Sequence, residues 1–208
     1  MKIYGISDTH GKHEELIIPK CDLLLHAGDA CNRGTLSELI YFLDWYSKQP
    51  SKYKIYVPGN HDRFCEQDPE EALRHCEDRG ITLLNDRGVE IEGLKIYGSA
   101  VQPFFCNWAF NRMPGAEIQY HWDLIPKDLD ILITHGPPYQ ILDKNMLDQA
   151  CGCQQLLYKI LEMKPKNHIF GHIHDNNGVQ EFMGIHFYNV ACCGESYKID
   201  YPAMEIII

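Results

Sequence analysis

The stretch Val57-Pro58-Gly59-Asn60-His61-Asp62 decides how this chain is read. It begins where the apolar run Ile55-Tyr56-Val57 ends, which places it at the tip of a buried strand. Pro58 and Gly59 stop that strand and turn the backbone sharply. Three polar residues then follow in a row: Asn60 offers an oxygen ligand, His61 an imidazole, and Asp62 a carboxylate able to orient that imidazole. Asn, His and Asp are also ordinary turn residues, so one such tripeptide means little by itself. An apolar strand running into ligand-type residues occurs four more times in the chain, and that changes its meaning.

The first strand, Lys2 to Ser7, leads into Asp8-Thr9-His10-Gly11, and the second, Asp22 to His26, into Ala27-Gly28-Asp29. Asp130 to Thr134 ends in His135-Gly136-Pro137-Pro138, and Asn167 to Phe170 in Gly171-His172-Ile173-His174-Asp175. In open α/β sheets ligands bind beyond the carboxyl ends of the strands, so these tips can converge on one crevice. The candidate ligands are Asp8, His10, Asp29, Asn60, His135, His172 and His174. Carboxylate and amide oxygens with imidazoles, and no thiolate, suit Mn, Fe, Zn or Co rather than calcium or a structural zinc. Mn is the leading expectation. Seven donors are too many for one ion, but they fill two divalent sites if one carboxylate bridges. Separate turn or core histidines would require the same coincidence at five strand ends.

Helical spacing predicts helices over Leu36–Lys48, Pro69–Arg79 and Gln149–Met163, with a shorter one near Glu117–Trp122. Thr82–Leu84, Val89–Ile91 and Leu94–Tyr97, separated by turn residues, read as an antiparallel meander. Strands near Val179–Phe182, His186–Asn189 and Ala203–Ile208 close the chain. This alternation implies an α/β fold of two mixed β-sheets covered by helices, in one domain over residues 1–208. With 45% hydrophobic and 23% charged residues, the chain has a soluble globular composition. The net charge of -10 argues against nucleic acid as a partner, because nothing in that balance grips phosphates without metal help. The nine cysteines form no zinc-type CxxC pairing and read as reduced thiols. No signal peptide precedes the first strand, and no apolar run is long enough for a bilayer. The expectation is a cytoplasmic protein with no membrane contact.

The blocks Asp8-x-His10, Gly28-Asp29, Gly59-Asn60-His61-Asp62, His135 and Gly171-His172-x-His174 resemble the calcineurin-like metallophosphoesterase signature, in order over residues 8 to 174. Tyr97-Gly98-Ser99, Gln102-Pro103, Cys106-Asn107-Trp108-Ala109-Phe110-Asn111 and Thr134-His135-Gly136-Pro137-Pro138 carry a closer likeness to the MPPED-type (metallophosphoesterase-domain-containing) phosphodiesterases. Asp62 departs from that branch, which usually has Glu after the Asn-His pair.

The resemblance implies a four-layer αββα fold and a role for each residue. Asp8, His10, Asp29 and His174 would hold one ion, and Asp29, Asn60, His135 and His172 the other, with Asp29 bridging. Two such ions can share a hydroxide and clamp a phosphoryl group for in-line displacement. His61 would serve the leaving oxygen as acid, and Asp62 would fix the His61 tautomer. Arg33 and Arg63 are candidate contacts for a substrate phosphate. Phe104, Phe105, Trp108 and Phe110 could wall a base-stacking pocket, although loop packing is the favoured reading. His26 is read as support for the site or core, and His13, His75, His121, His168 and His186 as bystanders. The activity implied is a phosphodiesterase on a small substrate such as a cyclic nucleotide. The competing readings are a phosphomonoesterase or protein phosphatase of the same chemistry, and a non-catalytic metal-binding scaffold.

Overall fold

Parallel pairing is what gathers the motif-bearing strand ends. In the computed structural model, which describes residues 1–208, β1 (Ile3–Ile6) pairs in parallel with β2 (Cys21–His26). Helix α1 (Leu36–Ser47) follows, opened by a capping box in which Thr35 and Glu38 satisfy each other's backbone. The chain returns as β3 (Ser51–Tyr56), parallel to β2. Next come a short helix α2 (Arg63–Gln67) and α3 (Pro69–Glu77), the latter capped by Asp68 with Pro69 at its first position. β4 (Thr82–Leu83) then adds in parallel to β3.

The second sheet starts with β5 (Arg87–Ile91) and β6 (Leu94–Ser99), an antiparallel pair. A two-stranded ribbon of β7 (Gln102–Pro103) and β8 (Asn111–Arg112) brackets the aromatic loop, and α4 (Ala116–Asp123) follows. β9 (Ile131–Thr134) lies parallel to β6. After α5 (Gln154–Met163), β10 (Asn167–Phe170) pairs with β9, again in parallel. β11 (Gly178–Phe182) and β12 (Ile185–Asn189) complete this sheet, and β13 (Met204–Ile206) returns to the first as an antiparallel neighbour of β1. The sheet orders are β13-β1-β2-β3-β4 and β11-β12-β10-β9-β6-β5.

Four layers result. A core cluster of 38 buried residues takes Ile3, Leu23 and Ile55 from the first sheet together with Ile96, Ile131 and Ile169 from the second, so it holds the space between the sheets as well as the face under α1. A second cluster of 15 seats α4 and α5, through Trp122 and Ile160, against Leu132 and Phe187. β1, β2, β3, β9 and β10 run in the same sense within their sheets, so their carboxyl ends face one crevice.

Two expectations change, and one short helix was not expected. The meander is split, because Thr82–Leu83 pairs with Ile55–Tyr56 in the first sheet while β5 and β6 belong to the second. Short strands between turn residues look alike in sequence, but a strand after α3 that is parallel to β3 is a βαβ crossover. Helix α5 starts at Gln154 rather than Gln149, since Asp143 holds the preceding loop by accepting from the Gln140 and Gly152 N–H groups. Helix α2 has no periodic signal because only five residues form it. No helix is long and apolar enough to cross a membrane. All nine cysteines are free thiols, seven of them buried.

His13 is fully buried beside Tyr41, Phe42 and Trp45 of α1, and neither of its ring nitrogens has a partner. Burial pushes its pKa down to about 4. Between that value and the ordinary 6.5 the unfolded chain binds a proton that the folded chain refuses, so stability falls as pH falls through this window. His13→Leu should remove that slope. Denaturant melts at pH 7 and pH 5 should show the variant gaining on the parent as pH drops; parallel losses in both would refute the assignment.

Candidate metal centre

Each ligand-type residue sits where a strand has just ended, and the loops are pinned to one another. Asp8 N donates to Gly28 O at 2.9 Å, His10 N to Asp29 O at 3.0 Å and Gly11 N to Ala30 O at 2.9 Å, so the β1 and β2 loops continue the ladder of their strands. Asp8, His10, Asp29 and His172 have left-handed backbone, with φ of 54°, 42°, 57° and 68°. Such conformations are costly for residues with side chains and mark sites held by their surroundings. Two glycines make room. Gly28, with φ 104°, could carry no side chain without meeting the His135 ring, and one at Gly171 would strike the Asp8 carboxylate.

All seven predicted ligands meet in the crevice. Asp8, His10 and His174 form one group whose ligand atoms lie within 4.8 Å of each other, and Asp29, His135 and His172 form another. A third group, His10, Asp29 and His61, joins them. Asp29 stands between the two halves: its Oδ2 lies 3.3 Å from His135 Nε2 and 3.9 Å from His10 Nε2. Its Oδ1 accepts the His61 backbone N–H at 2.7 Å. Asn60 completes the second half, with Oδ1 2.9 Å from His135 Nε2.

The donor atoms fit divalent cations. His135 Nδ1 donates to Ala27 O at 2.9 Å and His174 Nδ1 to Gly194 O at 3.3 Å, because a carbonyl can only accept. In the neutral rings each Nε2 therefore turns a lone pair into the crevice. There His135 Nε2 faces His172 Nδ1 at 3.2 Å, and His174 Nε2 faces His10 Nε2 at 3.2 Å. Asp8 Oδ1 is buried with no hydrogen bond, 3.3 Å from His174 Nε2. Lone pairs converging in pairs beside two buried carboxylates are what a cation relieves.

The titration behaviour has the same cause. Burial alone would raise both carboxyls, but the imidazole of His174 facing Asp8 holds it low, and that of His135 holds Asp29 well below the usual range. Burial opposes charging of His135, yet Asp29 lifts it to about 9. His174 is raised by Asp8 against the same burial cost. Burial dominates at His10 and His172, both pushed down to about 4.

The crevice opens into a cavity of about 420 Å³. Phe104, Phe105 and Trp108 line it, whereas Phe110 is buried in the core, so the aromatic cluster divides between wall and packing. Asn145, Cys151, Asp175, Glu195 and Tyr197 also line it and were not singled out in the sequence. Tyr197 sets its ring 4.8 Å from His10 and 5.1 Å from His174, centroid to centroid. It sits outside every motif, and no local pattern announces it. His26 lies beneath the site, accepting from Gly28 N through Nδ1 at 3.2 Å, which is the supporting role expected of it.

Three predicted site residues act otherwise. Asp62 makes no hydrogen bond to the His61 ring. Its carboxylate accepts from the backbone N–H groups of Gly59 at 2.8 Å, Cys31 at 2.9 Å and Ala30 at 3.3 Å, tying two ligand loops together. The ring is oriented instead by Nδ1, which donates to Asn32 O at 2.6 Å. The short Asp arm explains the exchange, since it reaches its neighbours' backbone more readily than the imidazole. Arg33 is exposed and absent from the cavity wall. Arg63 is also outside the wall; its Nη2 donates to Asn107 O at 2.7 Å and its guanidinium lies 4.8 Å over the Trp108 ring.

The calcineurin-like phosphoesterase family model matches residues 1–176. A UPF0046 protein of Caenorhabditis elegans is 35% identical over 211 residues, covering 96% of this chain and 72% of that protein. Human metallophosphoesterase domain-containing protein 1 is 34% identical over 231 residues, covering 97% of this chain and 69% of that protein. Among solved structures, a phosphopantetheinyl hydrolase from Mycobacterium tuberculosis superposes with a TM-score of 0.71 at 15% identity, covering 99% of this chain and 95% of that one. At that identity the likeness speaks for the fold alone.

Asp62→Ala would leave three N–H groups unpaired in a buried loop. At roughly 1–3 kcal/mol for each stranded donor, the loss of stability should be about 3 kcal/mol or more by denaturant unfolding. Unchanged stability with activity alone reduced would restore the orienting role for Asp62.

Proposed function

This chain belongs to the calcineurin-like phosphoesterase family and is of the MPPED type, and from that premise we propose that it hydrolyses small phosphodiesters, cyclic nucleotides among them. Membership of the family makes it a phosphoester hydrolase of a group that binds divalent metals. On this reading Asp8, His10, Asp29 and His174 hold one ion and Asp29, Asn60, His135 and His172 hold the second, with Mn as the first choice. Bound ions supply Lewis-acid polarisation of the phosphoryl oxygens and a nucleophile available at neutral pH.

The remaining work falls to the chain's own residues. His61 Nδ1 is committed to Asn32 O, so Nε2 is the atom that, in the imidazolium form, can give a proton to the leaving oxygen. Asn32 thus does the tautomer-setting first assigned to Asp62. Phe104, Phe105 and Pro137 exclude water from one side of the substrate and offer apolar faces to its organic part.

One observation carries the diester over the monoester: no Lys or Arg lines the cavity. Two divalent ions would face the carboxylates of Asp8 and Asp29 among their ligands, and Asp175 and Glu195 on the walls. Little positive charge is left over to draw a phosphomonoester, which carries about −1.5 to −2 at pH 7. A singly charged diester suits that balance. The competing protein-phosphatase reading would want a basic wall, and the intact set of seven converging ligand residues weighs against a non-catalytic scaffold, which can keep the fold without them.

The test is turnover by Mn-loaded protein on matched pairs of diesters and monoesters with the same leaving group. The diester should be preferred; a preference for the monoester would overturn the reading. His61→Ala should keep its metals and lose roughly 10²–10⁴-fold in rate, with the loss shrinking for a nitrophenolate leaving group. An equal loss for good and poor leaving groups would remove the acid role. Asp29→Ala should be the most damaging ligand substitution, leaving fewer than about one ion per chain by metal analysis. Retention of two ions would show that Asp29 does not bridge.

A further inference from the structure

Trp108 stacks on the His61 imidazole with ring centroids 4.0 Å apart and an interplanar angle of 28°. On its Nδ1 edge the imidazole is held by Asn32 O, and His10 meets it edge-on at 4.7 Å. Those two contacts set its tautomer and one boundary, but Trp108 is the stacked aromatic face that limits its rotation. A half-exposed loop tryptophan would be a poor wall for a histidine unless the loop itself were fixed, and it is.

The fixing runs through residues that the hydrolytic chemistry does not use. Arg63 directly follows Asp62, donates from Nη2 to Asn107 O at 2.7 Å and sets its guanidinium 4.8 Å over the Trp108 ring. Ala109 N donates to the backbone carbonyl of Asn60, a proposed ligand, at 3.2 Å. Phe110 N donates to Glu66 Oε2 at 2.9 Å, and the other oxygen of Glu66 accepts from Arg112 Nη1 at 3.0 Å. Arg112 Nε then donates to His121 Nε2 at 3.1 Å, and His121 Nδ1 donates to Asp86 Oδ2 at 2.6 Å. Asp86 is closed off by Ser99 Oγ at 2.6 Å. The aromatic loop is thereby braced at both ends, to α2 beside the His61 turn and to the end of β6.

We propose that Trp108 is a positioning residue for His61, and that Arg63 acts on the reaction only by holding Trp108. The assignment rests on the phosphodiesterase reading above. It also explains why an arginine next to the His61-Asp62 pair is turned away from the cavity: its fork is spent on Asn107 and the indole. A free arginine at that place would add the positive charge the cavity otherwise lacks.

The alternative role for Trp108 is a wall for the substrate, and the two separate in a kinetic cycle. If Trp108 works through His61, Trp108→Leu should lower kcat by up to about 10²-fold, the scale for slight misplacement of a catalytic group. KM should stay within about twofold, and metal content should be unchanged. The loss should appear with poor leaving groups and fade with nitrophenolate, as for His61→Ala. In a His61→Ala background Trp108→Leu should cost almost nothing more, because residues that act as a unit are not additive. Trp108→Phe, which keeps an aromatic face and guards against a folding artefact, should recover most of the rate. Arg63→Ala should repeat the Trp108→Leu pattern at smaller size.

Losses that multiply in the double variant, or a rise in KM with kcat kept, would overturn the positioning role and make Trp108 a substrate wall. A rise in KM for Arg63→Ala alone would return Arg63 to phosphate binding. Parent protein that turns over no diester would instead overturn the reading beneath, and that outcome is visible before any variant is made.

Discussion

The position of the Asp29 carboxylate, buried between two sets of imidazoles, is the contact on which the rest of the site depends. One of its oxygens faces His135 and, at longer range, His10, while the other accepts the N–H of His61. Asp8 is buried nearby, and two buried carboxylates repel each other unless cations stand between them. Those same carboxylates raise the pKa of His135 and His174 against the cost of burial, which shows the pull they exert on positive charge. Divalent ions would satisfy that pull. The fold's contribution is to prevent relaxation: the residues cannot swing apart, because their loops are extensions of paired parallel strands.

That rigidity explains the backbone conformations. Left-handed φ at Asp8, His10, Asp29 and His172 is locally unfavourable, and a free loop would escape it. Here the hydrogen bonds that continue the β1–β2 ladder, together with the Asp62 carboxylate gathering three N–H groups from two loops, leave no escape. Asp62 therefore serves the site through the backbone rather than through the imidazole. A carboxylate one methylene longer could reach further toward the ring, so the Asp at this position shifts the work of orienting His61 to the carbonyl of Asn32.

This division separates what was legible in the sequence from what was not. Ligand residues were legible because strand ends announce themselves: an apolar run stops, a glycine or proline turns, and a carboxylate or imidazole follows. All seven arrive in the crevice. The two mixed sheets were legible from the same rhythm, but the sheet membership of Thr82–Leu83 was not, since a two-residue strand carries no sign of its partner. The partners of Asp62 and Arg63 were illegible for a related reason. A side chain beside a motif has several neighbours within reach, and only the fold decides which backbone groups lie there. Tyr197 was illegible because it enters the site from a loop far along the chain, positioned by its contact with Lys12 and by the Cys193–Ile199 bridge rather than by any local pattern.

With both arginines outside the cavity, substrate capture on the proposed reading depends on the ions rather than on basic side chains. The chain carries a net charge of -10, and the cavity adds Asp175 and Glu195 without any lysine or arginine. The walls therefore offer an anionic substrate no cationic side chain of the kind that steers ligands into basic clefts. Attraction must come at short range from the ions themselves, whose charge is partly cancelled by the ligand carboxylates. Metal occupancy on this view governs the hold on the phosphate as much as the chemistry on it. On that reading the apolar faces of Phe104 and Phe105 matter more than they would in a basic cleft, since contact with the organic part of a substrate is unaffected by the surrounding negative charge. On the proposed reading, a site so built would discriminate by the charge and the organic substituent of the ester together, penalising a second negative charge and rewarding a flat or apolar group.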